Sequence, residues 1–409
     1  MNVTHACSMI RPRRALVAIA IALLVALSAP YSQALQPPEM TMGDPVRGQQ
    51  LFAGKSCVSC HAVRGAGGRI GPDLGRTAAK SSFFEIASGM WNHSIGMGEK
   101  IRELRKVRPV FEVDEFKDLV TFVYFLNYFD EPGDARVGEV LFTEKHCIQC
   151  HRVGGEGGLA GPTLETLPRG VSPLRIAQGL WNHGPAMVRS MRRIGLEVPQ
   201  FQGTEILDLF AFLRTQGKGR EAREFQSAGD AELGAQVFSA KGCVHCHGVF
   251  GGEDEIGPDL GRLDLQGSVT QIAGRMWNHW AAMTEAMETL DMRMPIFSKD
   301  ELADLMAYLF VSRYGGWPGN LEAGRLQYRE KGCAFCHGLQ GEGTLGPPLA
   351  QVTPGEEKEV IAQGMWNHAP DMWSQMGDHQ IPWPKFDTQE LADLLAYLSY
   401  GWGEADSAE

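Results

Sequence analysis

Cys57-Val58-Ser59-Cys60-His61 decides the reading of this chain, because the pattern returns as Cys147-Ile148-Gln149-Cys150-His151, Cys243-Val244-His245-Cys246-His247 and Cys333-Ala334-Phe335-Cys336-His337. The copies are 90, 96 and 90 residues apart, so the repeating unit is a small domain. Nine residues before each first cysteine stands a glycine (Gly48, Gly138, Gly234, Gly324), and five before it an aromatic (Phe52, Phe142, Phe238, Tyr328). After each copy comes a glycine-rich loop ending in Gly-Pro-x-Leu (from Gly71, Gly161, Gly257 and Gly346), then a Trp-Asn-His with a methionine four residues beyond the histidine. A closing segment such as Glu301 to Leu309 has apolar residues at helical spacing. Phe122, Phe212, Tyr308 and Tyr397 hold matching places in it.

A second periodicity lies inside the first. Units 1 and 3 share Ile-Gly-Pro-Asp-Leu-Gly-Arg (from Ile70 and Ile256), while units 2 and 4 share Ala-Gln-Gly (from Ala177 and Ala362) and an entering Pro-Gly (Pro132, Pro318). The motifs of units 1 and 3, like those of 2 and 4, are 186 residues apart, which points to a duplicated two-unit module. The polar stretch Gln216 to Asp230 is the expected joint between copies. The expected units run over residues 44–130, 131–217, 230–315 and 316–402, and the fold class is all-α.

At the start, Arg11, Arg13 and Arg14 precede an apolar stretch from Ala15 to Ala29 and a small-x-small Ser32-Gln33-Ala34. Such a segment reads as a secretory signal peptide over residues 1–34, cleaved near Ala34 to leave a periplasmic or otherwise exported protein beginning near Leu35. An uncleaved anchor is the alternative, although the stretch is short against the roughly 20 residues of a span. Of nine cysteines, Cys7 lies in this leader and the other eight are those of the motifs, leaving none for a structural disulfide. The net charge of −11 becomes −14 once the leader's three arginines are lost. That surface argues against nucleic acid and suits a basic protein partner.

Cys-x-x-Cys-His attaches haem: two thiols one helical turn apart form thioethers with the vinyl groups while the adjacent histidine faces the iron. A redox dithiol or half of a zinc site is the competing reading of a single Cys-x-x-Cys. Four copies, each followed by histidine behind a leader, favour haem. The implied cofactor is four covalently bound haem c groups, on Cys57, Cys60, Cys147, Cys150, Cys243, Cys246, Cys333 and Cys336, with His61, His151, His247 and His337 on the irons. Units this small bury limited core, and each macrocycle would supply part of it.

Each unit resembles a class I cytochrome c domain, in the glycine and aromatic of its first helix, the haem motif, the Gly-Pro-x-Leu loop and the aromatic of its last helix. The resemblance covers nearly all of residues 44 to 400. It implies first and last helices that cross at Gly48, Gly138, Gly234 and Gly324. It also implies a sixth iron ligand in an Asn-Gly-x-x-x-Met-Pro-like segment, which here, by the shared asparagine-to-methionine offset and with no proline following, gives Met97, Met187, Met283 and Met372. His93, His183, His279 and His368, four residues earlier on the same helical face, are the alternative ligands. A later Pro-x-Phe element (Pro109, Pro199, Pro295, Pro384) is preceded by methionine only at Met294, so that residue is the weaker choice. The Trp and Asn beside each histidine are expected at the pocket wall, with simple packing as the alternative for the tryptophans.

Methionine ligation favours ferrous iron and a raised potential, and six-coordinate iron has no open position for substrate. The expected function is therefore electron transfer between redox protein partners, with no catalytic residue. The rival readings are a peroxidase-like haem enzyme with an open iron site and the cytochrome subunit of a larger periplasmic oxidoreductase complex; a membrane-associated respiratory complex is among the candidate partners.

Overall fold

The computed structural model describes residues 42–76, 82–220, 229–249, 256–261, 263, 267–316, 318–349 and 357–400. The leader and the middle of the expected joint, 221–228, lie outside them. Unit 1 holds α1 (Pro45–Gly54), α2 (Phe83–Glu103) and α3 (Val113–Phe125); unit 2 holds α4 (Ala135–Glu144), α5 (Pro173–Arg193) and α6 (Glu205–Gln216). Unit 3 has α7 (Ala231–Ala240), α8 (Val269–Asn278), α9 (Trp280–Thr289) and α10 (Glu301–Ser312). Unit 4 has α11 (Leu321–Glu330), α12 (Cys333–His337), α13 (Lys358–Asp378) and α14 (Thr388–Tyr400). Among the described residues the strands form two hairpins of two-residue strands, Ala62–Val63 with Ala66–Gly67 and Arg152–Val153 with Glu156–Gly157. The fold is all-α, as the sequence implies. The start of the joint packs back on unit 2, where the Lys218 and Gly219 N–H groups donate to the Glu165 and Leu167 carbonyls.

Every unit is closed by the same device. An Asp or Asn caps the first helix (Asp44, Asp134, Asp230, Asn320), its side chain accepting from backbone N–H groups of the first turn. The cap's own N–H donates to a carboxylate of the last helix: Asp44 to Asp118 at 2.6 Å, Asp134 to Asp208 at 2.7 Å, Asp230 to Asp304 at 2.8 Å and Asn320 to Asp393 at 2.7 Å. The helices then cross at the glycine. A Cβ on Gly48, Gly138, Gly234 or Gly324 would lie 2.0 Å from the carbonyl oxygen of that same aspartate. One turn on, the recurring aromatics meet in tilted pairs, Phe52–Phe122 at 5.5 Å and Tyr328–Tyr397 at 5.7 Å among them.

A lysine ending each first helix makes a further tie that the sequence reading did not single out. Lys55, Lys145, Lys241 and Lys331 pair with Glu115, Glu205, Glu301 and Glu390 at 2.8, 2.7, 2.9 and 3.0 Å. Each ammonium also donates to a carbonyl of the loop before the last helix, at Val110, Gln200, Ile296 and Lys385.

The units are joined by the tryptophans and asparagines expected at the pocket walls, and here the structure corrects the sequence reading. Trp91 Nε1 donates to the Pro384 carbonyl at 2.8 Å, and Asn92 both donates to the Phe386 carbonyl and accepts from the Phe386 N–H, at 2.8 and 3.0 Å. Unit 4 returns the same three bonds from Trp366 and Asn367 to Pro109 and Phe111, at 3.0, 2.9 and 3.0 Å. Units 2 and 3 are clamped likewise: Trp181 and Asn182 hold Pro295 and Phe297. In return Trp277 and Asn278 hold Pro199 and Phe201. The reason is physical: the loops Pro109–Phe111 and their equivalents have no helix or ladder partner, and part-buried backbone groups need one.

A third contact joins the halves. The Phe83 N–H donates to Tyr314 O at 2.8 Å, and the Val269 N–H to Tyr128 O at 3.3 Å. Phe83 and Val269 are 186 residues apart, as are Tyr128 and Tyr314, so the 1–2 half faces the 3–4 half across a local twofold. Tyr124, Phe310 and Tyr314 pack there with ring centroids 4.7 and 5.1 Å from Tyr124, and Tyr124 OH donates to the Phe310 carbonyl. These contacts order the units in space as 4–1–3–2. Replacing Gly48 by Ala should force α1 and α3 apart and destabilise unit 1 by about 1–3 kcal/mol. The check is thermal unfolding followed by haem absorbance, in which only a fraction of the signal should shift to lower temperature.

Candidate functional site

Ahead of each first cysteine the chain turns through a left-handed residue: Ser56, His146, Gly242 and Gly332, with φ of 65, 63, 79 and 84°. The following turn is tight, and the His61 N–H reaches the Cys57 carbonyl at 2.9 Å, with the same bond at His151 and His247. In unit 4 Cys333–His337 forms one turn of α-helix. Both thiols of a pair therefore lie about one turn apart with the histidine beside them.

The histidine is fixed from behind. His61 Nδ1 is 3.0 Å from Pro72 O, His151 Nδ1 3.0 Å from Pro162 O, His247 Nδ1 3.0 Å from Pro258 O and His337 Nδ1 2.9 Å from Pro347 O. A carbonyl can only accept, so Nδ1 carries the proton and Nε2 keeps its lone pair for a metal. The imidazole lies directly on the glycine before that proline. A Cβ on Gly71, Gly161, Gly257 or Gly346 would sit 2.4, 2.6, 2.5 or 2.9 Å from the ring's Cε1. The Gly-Pro step thus has two duties: room for the ring and a carbonyl that sets its tautomer.

This arrangement fits haem and does not fit the competing readings. Among the described residues no group of three or more His, Cys, Asp or Glu is placed to hold a metal, whereas a porphyrin brings four nitrogens of its own. The eight thiols are half-buried and free of disulfides. Burial pushes the Cys57, Cys147, Cys243 and Cys333 thiols up to about 11, the reverse of the depressed value that activates a redox dithiol.

A family model for cytochrome c matches residues 45–124, 135–216, 231–310 and 321–402. The chain belongs to the cytochrome c family. It is also similar to a cytochrome c-553-like protein of Synechocystis sp. (strain ATCC 27184 / PCC 6803 / Kazusa), at 33% identity over 92 residues, which are 22% of this chain and 76% of that protein. No solved structure matches. This cytochrome c is accordingly a haem-binding electron carrier, and its Cys-x-x-Cys-His turns are the sites of covalently attached haem c.

The two sets of sixth-ligand candidates sit on the long helices. His93, His183 and His368 are exposed and place Nδ1 2.8, 2.8 and 2.9 Å from the carbonyl four residues earlier; His279 does so at 3.3 Å. Met97, Met187, Met283 and Met372 are half-buried against the core. In unit 3 the long helix breaks at His279, yet the Met283 N–H still reaches the His279 carbonyl at 3.0 Å, so the pair stays one turn apart. In units 1 and 4 the variable residue before the Pro-x-Phe element packs on the neighbouring unit. Arg108 lies over the Trp366 ring at 4.1 Å and Trp383 stacks on Trp91 at 4.3 Å.

Gly71→Ala should press on the His61 ring and loosen the fifth ligand of haem 1. The expected result is a partial high-spin signal in the oxidised protein, read by electron paramagnetic resonance, with the other three haems unchanged.

Proposed function

We propose that this protein is an exported tetrahaem electron carrier, with Met97, Met187, Met283 and Met372 completing iron coordination opposite His61, His151, His247 and His337. The observation that carries the reading is the histidine cradle, repeated in every unit with the same Nδ1–carbonyl bond, so no unit is set aside for a different chemistry. Four equivalent, six-coordinate sites suit passage of electrons between redox proteins, and an acidic surface suits a basic partner. Export is supported by the leader and by the Cys-x-x-Cys-His chemistry.

Methionine is favoured because the position before the proline is occupied against the neighbouring unit's indole in units 1 and 4, which leaves the long helix to supply the ligand. Histidine ligation has its own support. The Nδ1–carbonyl bond on His93 and its equivalents frees Nε2, as it does on the histidines of the Cys-x-x-Cys-His turns.

The two readings separate in the near infrared, where oxidised His/Met haem has a sulfur-to-iron band that bis-histidine haem lacks. With methionine ligation the band is present, and Met97→His removes about a quarter of it and lowers one of four potentials. An absent band overturns the methionine assignment. Mass spectrometry of the purified protein checks both the four haems and a mature start near Leu35.

A further inference from the structure

We infer that the four haem-bearing units are coupled for electron transfer in the order 4–1–3–2 rather than in chain order, with units 2 and 4 as the two ends. The inference rests on the four-haem reading above and adds the route.

Each long helix has two working faces. In α2, at 100° per residue, His93 lies about 160° and Met97 about 120° around from Trp91, so the face offered to the unit's own haem is distinct from the face that packs on its neighbour. α2 and α13 therefore stand between the cofactor sites of units 1 and 4, bound to each other's units by the reciprocal tryptophan and asparagine bonds. A small cavity where these helices meet, bounded by Met90, Trp91, Met365 and Trp366 with Phe116 and Leu391, has a volume of about 10 Å³. Units 2 and 3 repeat the arrangement through α5 and α8.

The halves meet through the last helices of units 1 and 3, where Tyr124, Tyr128, Phe310 and Tyr314 form a buried aromatic cluster crossed by main-chain hydrogen bonds. The covalent joint between units 1 and 2 is a poorer bridge. None of the reciprocal tryptophan and asparagine bonds joins unit 1 to unit 2, and a cavity of about 320 Å³ opens between Asp130 and Pro132 on one side and Ser172 and Leu207 of unit 2 on the other, with Val269 and Thr270 of unit 3 closing its third side. Electron tunnelling falls off more steeply across a gap than through packed and hydrogen-bonded matter, so the clamped contacts carry the electron and the joint serves as a tether.

The two orders predict opposite results. Asp378 is exposed on unit 4, and Asp378→Cys carrying a ruthenium photosensitiser allows one electron to be injected there. The photo-oxidised ruthenium then recovers it by a back reaction whose rate reports how far the electron has travelled. In the 4–1–3–2 order, removing haem 1 (Cys57→Ala with Cys60→Ala) confines the electron to unit 4, and recombination collapses to one fast phase. Removing haem 2 (Cys147→Ala with Cys150→Ala) leaves a slow phase.

Chain order requires that removing haem 3 (Cys243→Ala with Cys246→Ala) confines the electron while removing haem 1 does not; that pattern overturns the proposal. Asn92→Ala with Asn367→Ala keeps all four attachment sites and guards against misfolding of the haem-deleted proteins. It should slow departure from unit 4 several-fold, and an unchanged rate also overturns the proposal. A starting protein with fewer than four haems by mass shows instead that the four-haem reading has failed.

Discussion

An asparagine carboxamide holds an N–H donor and a carbonyl acceptor side by side in one plane, matching the carbonyl and N–H that a peptide backbone presents on either side of one residue. In this protein Asn92, Asn182, Asn278 and Asn367 use that match to hold a phenylalanine of another unit by both its N–H and its carbonyl. With the tryptophan bonds, these residues contribute six hydrogen bonds to each clamped pair, worth roughly 3–9 kcal/mol at the usual net value per bond. The loop before each last helix is thereby fixed from outside its own unit. That loop also receives the lysine at the end of the first helix, so the clamp reaches the helix crossing and, through it, the haem-attachment turn.

Much of this was legible in the sequence, and the rest was not for identifiable reasons. The cysteine and histidine positions, the glycine at the crossing and the aromatic pair all act within a unit, and a repeat reports such roles faithfully. The Gly-Pro step was visible as a pattern, but its role of seating the imidazole and accepting its proton appears only once the loop is folded back over the ring. Trp91 and Asn92 recur just as regularly, yet periodicity does not say which copy of the partner a side chain reaches, so a contact between units looks the same as one within a unit. The lysine tie was a signal passed over. A lysine two residues before each first cysteine recurs four times, as does the glutamate it meets on the last helix.

The same point explains the most variable position. Arg108, Val198, Met294 and Trp383 occupy one place in the repeat, and no single role inside a unit accommodates all four. Arg108 over Trp366 and Trp383 on Trp91 show the position answering to a neighbour: a flat cation and a flat ring both cover an indole face. Duplication of a two-unit module gives the twofold, but the clamps join units of different modules. Neither module is closed by itself, and the faces that each long helix leaves open are covered by the other copy.

Charge explains why the pairs form across modules. Residues 44–130 carry 12 basic and 10 acidic side chains and residues 131–217 carry 9 of each, against 6 and 13 in 230–315 and 5 and 11 in 316–402. Pairing 1 with 4 and 2 with 3 sets each acid-rich unit against one that is near neutral, as where Lys117 of unit 1 meets Glu357 of unit 4 at 3.1 Å. Pairing units within a module would instead put the two acidic units together and concentrate like charge at their interface. The tryptophan and asparagine bonds are the same in all four units and supply no preference among partners, while the uneven charge disfavours setting unit 3 against unit 4. The residues that differ between interfaces, Arg108 over Trp366 and Trp383 on Trp91, add a distinction that the shared hydrogen bonds do not make.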